Sequence, residues 1–189
     1  MKKITLFTLS MFFLIVRAPE NNMPRIEIPL YHRPQELYKI IEEKAGVRIP
    51  DHVDLEHVYL MYSKACELDI PINILFRLVK KESGFNLDAI SVKGAQGYFQ
   101  VMPETYLYML EKLNYPLDTP HTPEVNIIVG VEYLAYLRRF WRDRDILDIE
   151  LWNYILASYN AGYGRVIAYN GIPPFQETIN YIKFIQNEI

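Results

Sequence analysis

From Gln35 to the C-terminus the apolar residues recur at three- and four-residue intervals, and no alternating run long enough for a strand breaks the pattern. That periodicity predicts an all-α fold. "QELYKIIEEKAG" ends at a glycine able to cap a helix, and "DHVDLEHVYLMYSKACELD" puts Val58, Met61, Tyr62 and Ala65 on one face. Ile70-Pro71 breaks the chain and starts a helix that holds Glu82. "PETYLYMLEKLN" carries proline and glutamate in its first turn, and "TPEVNIIVGVEYLAYLRRFW" has Thr122 as cap with Pro123 just inside. "DIELWNYILASYNAG", a short "YGRVIAYNG" unit and "PFQETINYIKFIQNEI" complete about seven short helices, the last with Ile179, Ile182 and Ile185 spaced for burial. The segment from Ser83 to Gly97 has no helical pattern and supplies most of the exposed backbone.

Upstream the pattern changes. Lys2 and Lys3 precede thirteen uncharged, mainly apolar residues, Ile4 to Val16, the order of an export signal and short of the ~20 residues a spanning helix needs. Residues 1–17 are therefore read as a signal peptide or, because Val16-Arg17-Ala18 makes a poor cleavage site, a retained anchor. Pro19, Pro24, Pro29 and Pro34 deny helix to residues 18–34, which read as an extended tether, and residues 35–189 as one domain. A net charge of -3 and a pI near 5.8 give no basic face for nucleic acid. Cys66, alone, has no internal disulfide partner and reads as a small buried residue. His32, His52, His57 and His121 lack ligand spacing and read as surface or capping residues; neither a metal nor a cofactor is implied. Fifteen tyrosines supply flat amphipathic surfaces for a core or for sugar rings.

One acid stands out. Leu75, Leu78, Val79 and Glu82 stand at i, i+3, i+4 and i+7, so the carboxylate shares the helix's apolar face. Desolvation and the unpaired carbonyls of a helix end both raise its pKa. A carboxylic acid kept protonated near neutrality can protonate a glycosidic oxygen.

The residues that follow carry a resemblance. "ESGFNLDAISVKGAQGYFQVMPET" resembles the catalytic segment of the soluble lytic transglycosylases, murein-cleaving relatives of goose-type lysozyme, whose pattern is roughly ESGFNPxAxSxxGAxGLMQxMPxT. "NIIVGVEYLAYL", "ASYNAGYGRV" and "PPFQETINYIKFI" are similar to three further motifs of that family, in the same order. The resemblance implies a lysozyme-like compact helical domain, with Glu82 as catalytic acid and Ser83 beside it as a structural residue. It implies substrate contacts for Ser91, Gln100, Glu177 and Tyr181, and a Tyr159 hydroxyl reaching the acid; a turn-forming Ser91 and core rings for Tyr159 and Tyr181 are the competing readings. Asn126, Gly130 and Tyr133 fall to fold support. Where the family has GLMQ this chain has "GYFQ", so Tyr98 and Phe99 are expected to narrow the cleft floor or add a stacking surface.

The implied activity is peptidoglycan cleavage at the bond between N-acetylmuramic acid and N-acetylglucosamine, with Glu82 as single acid and base and 1,6-anhydro ends as product. Asp88, Glu104 and Glu177 remain as second carboxylates for a lysozyme-type hydrolase, and the altered "GYFQ" leaves a non-cleaving murein-binding module open. The implied partner is the glycan strand, in a periplasmic or envelope location; general murein remodelling and a local opening for a secretion, conjugation or other envelope-spanning complex are both open readings.

Overall fold

In a computed structural model, residues 13–15, 27–29, 34–144 and 146–186 are described. Strands β1 (Phe13–Ile15) and β2 (Glu27–Pro29) pair antiparallel with Leu14 opposite Ile28. They fall within the two segments read from the sequence as signal and tether. Helices α1 (Pro34–Ala45), α2 (Leu55–Glu67), α3 (Ile72–Ser83), α4 (Pro103–Lys112), α5 (Pro123–Arg142), α6 (Asp148–Ala161), α7 (Tyr163–Ala168) and α8 (Gln176–Gln186) follow. The described residues thus form eight helices against the about seven expected, and the short "YGRVIAYNG" unit forms α7. Among the described residues no helix is long and apolar enough to cross a membrane.

The helix ends follow local chemistry. Asp54 caps α2 by accepting from the Glu56 N–H, and Thr122 caps α5 by accepting from the Val125 N–H at 3.3 Å. Gly46, in the left-handed region, closes α1. Helix α5 is buried on most sides from Val125 to Val131, where Val125, Ile127, Ile128, Val129 and Val131 are joined by the buried polar Asn126. It is the central helix, packed against α2, α4 and α6, while α3 lies between α1, α2 and α8. Across this frame Trp141 donates to the buried Ser158 hydroxyl at 2.8 Å, and Lys64 of α2 pairs with Glu132 of α5 at 3.0 Å.

Cys66 is exposed, contrary to the sequence expectation. The buried stripe of α2 runs through Val58, Met61 and Ala65, and the next residue along is rotated by about 100° off it. Tyr62, at the edge of that stripe, is half-buried.

Candidate active site

The last turn of α3 sets the acid. Leu75, Leu78 and Val79 are fully buried, and Glu82 continues their face into a partly open position. Gly84 ends the helix with φ 62°, its N–H donating to the Lys80 carbonyl. Ser83 joins helix to loop: its hydroxyl donates to the Tyr98 carbonyl at 2.9 Å.

The loop from Gly84 to Met102 holds itself together through its polar side chains. Ser91 accepts from the Ala95 N–H at 2.9 Å, which makes it the turn-closing residue of the segment. Gln100, in the left-handed region at φ 45°, donates through Nε2 to the carbonyls of Ala89 and Gly97 at 2.9 and 3.0 Å. From beneath, buried Asn126 accepts from the Phe99 N–H at 3.1 Å and donates to the Gln96 carbonyl at 2.9 Å. Gly130 leaves room for the Phe99 ring, since a Cβ there would lie 2.2 Å from Phe99 Cγ. Fold support is therefore what Asn126 and Gly130 provide.

The expectation for Tyr98 is corrected. Its side chain is 1% exposed and points into the core, where its hydroxyl meets His57 Nδ1 at 3.1 Å. The polar end of the ring finds its partner on α2, so the ring has no need of the cleft. Phe99 is likewise fully buried. His57, expected at the surface, is buried and reaches Glu124 Oε1 at 3.3 Å with its other nitrogen. His121 is also more than a surface residue: Nδ1 lies 2.6 Å from Gln96 Oε1. Partners 41, 67 and 25 residues apart in the chain leave no spacing signal by which to find them. His52 is exposed, and His32 lies outside the described residues.

The two tyrosines divide their work differently from the expectation. Tyr181 of α8, almost wholly buried, donates its hydroxyl to Glu82 Oε1. Tyr159 of α6 donates to the Phe99 carbonyl at 2.7 Å, so it fastens the loop, while remaining within the electrostatic field of Glu82. Burial pushes both phenols well above their ordinary range, so each is a neutral donor at physiological pH. Asn160 accepts from Thr178 at 2.8 Å and ties the end of α6 to α8.

Burial is the main cause that pushes the Glu82 pKa up to about 7. The Tyr181 hydrogen bond and the Lys81 charge oppose it, and the negative charge of Glu177 reinforces it. Lys81 thus acts on the acid, although the helical wheel points it elsewhere; its ammonium lies 5.4 Å from the Phe184 ring centroid. Glu177 is exposed in the first turn of α8, and Glu104 occupies the first turn of α4. Asp88 sits in an exposed turn, its N–H held by Asn86. Among the described residues no cluster of three or more His, Cys, Asp or Glu side chains could hold a metal ion.

Eight helices around a carboxyl group that remains half-protonated near neutrality define a lysozyme-like helical domain. The Transglycosylase SLT domain model matches residues 60–182, and the chain belongs to that family. It is similar to the soluble lytic murein transglycosylase of Escherichia coli K12, 30% identical over 132 residues, which covers 61% of this chain and 19% of that protein. It is also similar to the membrane-bound lytic murein transglycosylase C of Haemophilus ducreyi, 29% identical over 127 residues, covering 63% and 35% of the two chains. Among solved structures, an inactive mutant of the lytic transglycosylase Slt from Pseudomonas aeruginosa superposes with a TM-score of 0.59 at 25% identity, over 80% of this chain and 26% of that one. The 70-kDa soluble lytic transglycosylase from Escherichia coli gives 0.57 at 26% identity, over 79% and 24%. The match therefore spans between 19% and 35% of these curated relatives' length.

Proposed function

We propose that this chain is a peptidoglycan lytic transglycosylase that cleaves the β-1,4 bond between N-acetylmuramic acid and N-acetylglucosamine, leaving 1,6-anhydro-muramic acid ends. The observation that carries the reading is Glu82: an inward carboxyl with a pKa pushed up to about 7, at the position of the acid in the family pattern. In the first step its hydrogen passes to the glycosidic oxygen as the bond to the muramic acid C1 breaks. The carboxylate left behind accepts from Tyr181. It then takes the proton of the same sugar's 6-hydroxyl as that oxygen closes on C1, which restores the acid and consumes no water.

Ser91, Gln100, Tyr159, Glu177 and Tyr181 form the substrate side of this site in the proposal. Gln100 and Ser91 use part of their bonding capacity to shape the loop, and the remaining lone pairs are available to the sugar's acetamido and hydroxyl groups. Burial does most to keep Glu82 protonated, and the like charge of Glu177 adds to it. Burial of Tyr98 and Phe99 in the core supports cleavage over mere binding, because the departure from GLMQ leaves the cleft unobstructed by these two rings.

The electrostatic reach of Glu177 to Glu82 favours one second reading, a hydrolase with Glu177 as base for water. Digestion of purified murein with product mass spectrometry decides between them. Anhydro ends are the expected result, and reducing muramic acid ends would assign the hydrolase. Glu82→Gln is expected to lose nearly all cleavage with folding intact; wild-type activity in that variant would refute the mechanism. The same reading gives the protein an envelope location, exported or anchored through residues 1–17, where it acts in general wall remodelling or beside an envelope-spanning assembly.

A further inference from the structure

A row of aromatic rings leads away from the acid, and the proposed site includes only its first member, Tyr159. Tyr159, in the field of Glu82, lies with its ring centroid 5.5 Å from that of Tyr133. Tyr133 stacks on Tyr136, one turn further along α5, at 6.2 Å with 12° between the planes. From Tyr136 the row divides. One arm goes to Tyr108 on α4, ring to ring at 5.6 Å with the two hydroxyls 3.1 Å apart. The other goes through Phe140 to Tyr163 on α7, at 6.4 and 5.3 Å. The outer rings are open to solvent, Tyr108 at 38% and Tyr163 at 42%. Aromatic rings at solvent with hydroxyls at their edges suit the apolar faces and equatorial hydroxyls of sugars.

Both arms carry a cation. The Lys112 ammonium lies over the Tyr108 ring at 5.3 Å, and the Arg144 guanidinium over Phe140 at 3.5 Å, held there by a hydrogen bond to the Phe140 carbonyl at 2.9 Å. These two are the charged groups that act on the Tyr136 hydroxyl. Neither joins an ion pair among the described residues. A guanidinium fixed on a ring keeps N–H groups to offer a carboxylate.

We propose that Tyr108, Tyr136, Phe140 and Tyr163, with Lys112 and Arg144, form a track that leads from the site of Glu82 and takes glycan strands bearing anionic peptide stems. The rings take the sugars and the two cations take stem carboxylates. This rests on the glycan-cleaving reading of Glu82. Continuity of the ring row with Tyr159 and charge complementarity select this occupant over an apolar one.

The test compares stem-bearing glycan strands with the same strands stripped of peptide by an amidase. In the full chain, Lys112→Ala with Arg144→Ala should raise KM for stem-bearing strands about fivefold more than for stripped strands, with kcat little altered. Tyr108→Ala should raise KM for both. Co-sedimentation of the Glu82→Gln protein with stem-bearing sacculi reads the same surface without cleavage, so an inactive wild type would count against Glu82 and not against the track. In that background the two charge substitutions should weaken retention about fivefold, and more on stem-bearing than on stripped material. Equal losses on the two strands from the two charge substitutions, or retention unchanged by all three substitutions in protein whose melting temperature is preserved, would overturn the proposal.

Discussion

Glu82 occupies the position on α3 where the next aliphatic side chain would fall, and that placement fixes its chemistry. With a pKa of about 7 it is protonated below neutrality and loses its proton as pH rises through that value. Cleavage is therefore expected to fall on the alkaline side of about pH 7, and a pH–rate profile of kcat/KM checks it. Because the Tyr181 hydroxyl stabilises the anion, Tyr181→Phe should move that limb to higher pH while Tyr159→Phe, which releases Phe99, should chiefly lower activity. The same group carries a stability cost. Between the free value of 4.5 and about 7 the folded chain binds more protons than the unfolded one, so stability declines as pH rises through that window. Glu82→Gln should accordingly melt higher than wild type above pH 7, by at most roughly 3 kcal/mol, and lose that advantage below pH 4.5. The inward acid was legible in the spacing of Leu75, Leu78 and Val79. That Tyr181, and not Tyr159, donates to the acid was not, because which phenol reaches a carboxyl depends on the separation of α6 and α8 from α3, and no residue spacing encodes that.

At the scale of elements, helices announce themselves and the loop does not. Thr122, Asp54 and Gly46 stop or start helices through bonds to residues within four positions, and such bonds are visible in a linear sequence. The loop from Gly84 to Met102 takes its form from Asn126 and Gly130, which lie on α5 well downstream. Placement of Tyr98 in the core likewise waited on His57, brought near by the packing of α2. Gly130→Ala forces a methyl group against the Phe99 ring and should destabilise by about 3 kcal/mol in chemical denaturation. Phe99→Leu added to it should recover part of that loss, since the two positions share one contact and their effects couple. Additive losses in the double variant would separate them.

The whole molecule is what makes the acid unusual. No single helix desolvates Glu82; α3 carries it, α8 brings Tyr181 and Glu177, and the loop fastened by Tyr159 and Asn126 lies beside the end of α3. An all-α class and the order of its helices could be read from periodicity, but this convergence could not, because it joins residues 99 positions apart. Carbon-13 NMR titration of the side-chain carboxyls in the intact chain, with Glu82→Gln to assign the resonance, measures the consequence directly. A midpoint near 7 in the folded protein that returns to about 4.5 in urea is the result expected; a midpoint near 4.5 in the folded state would contradict the account at its centre.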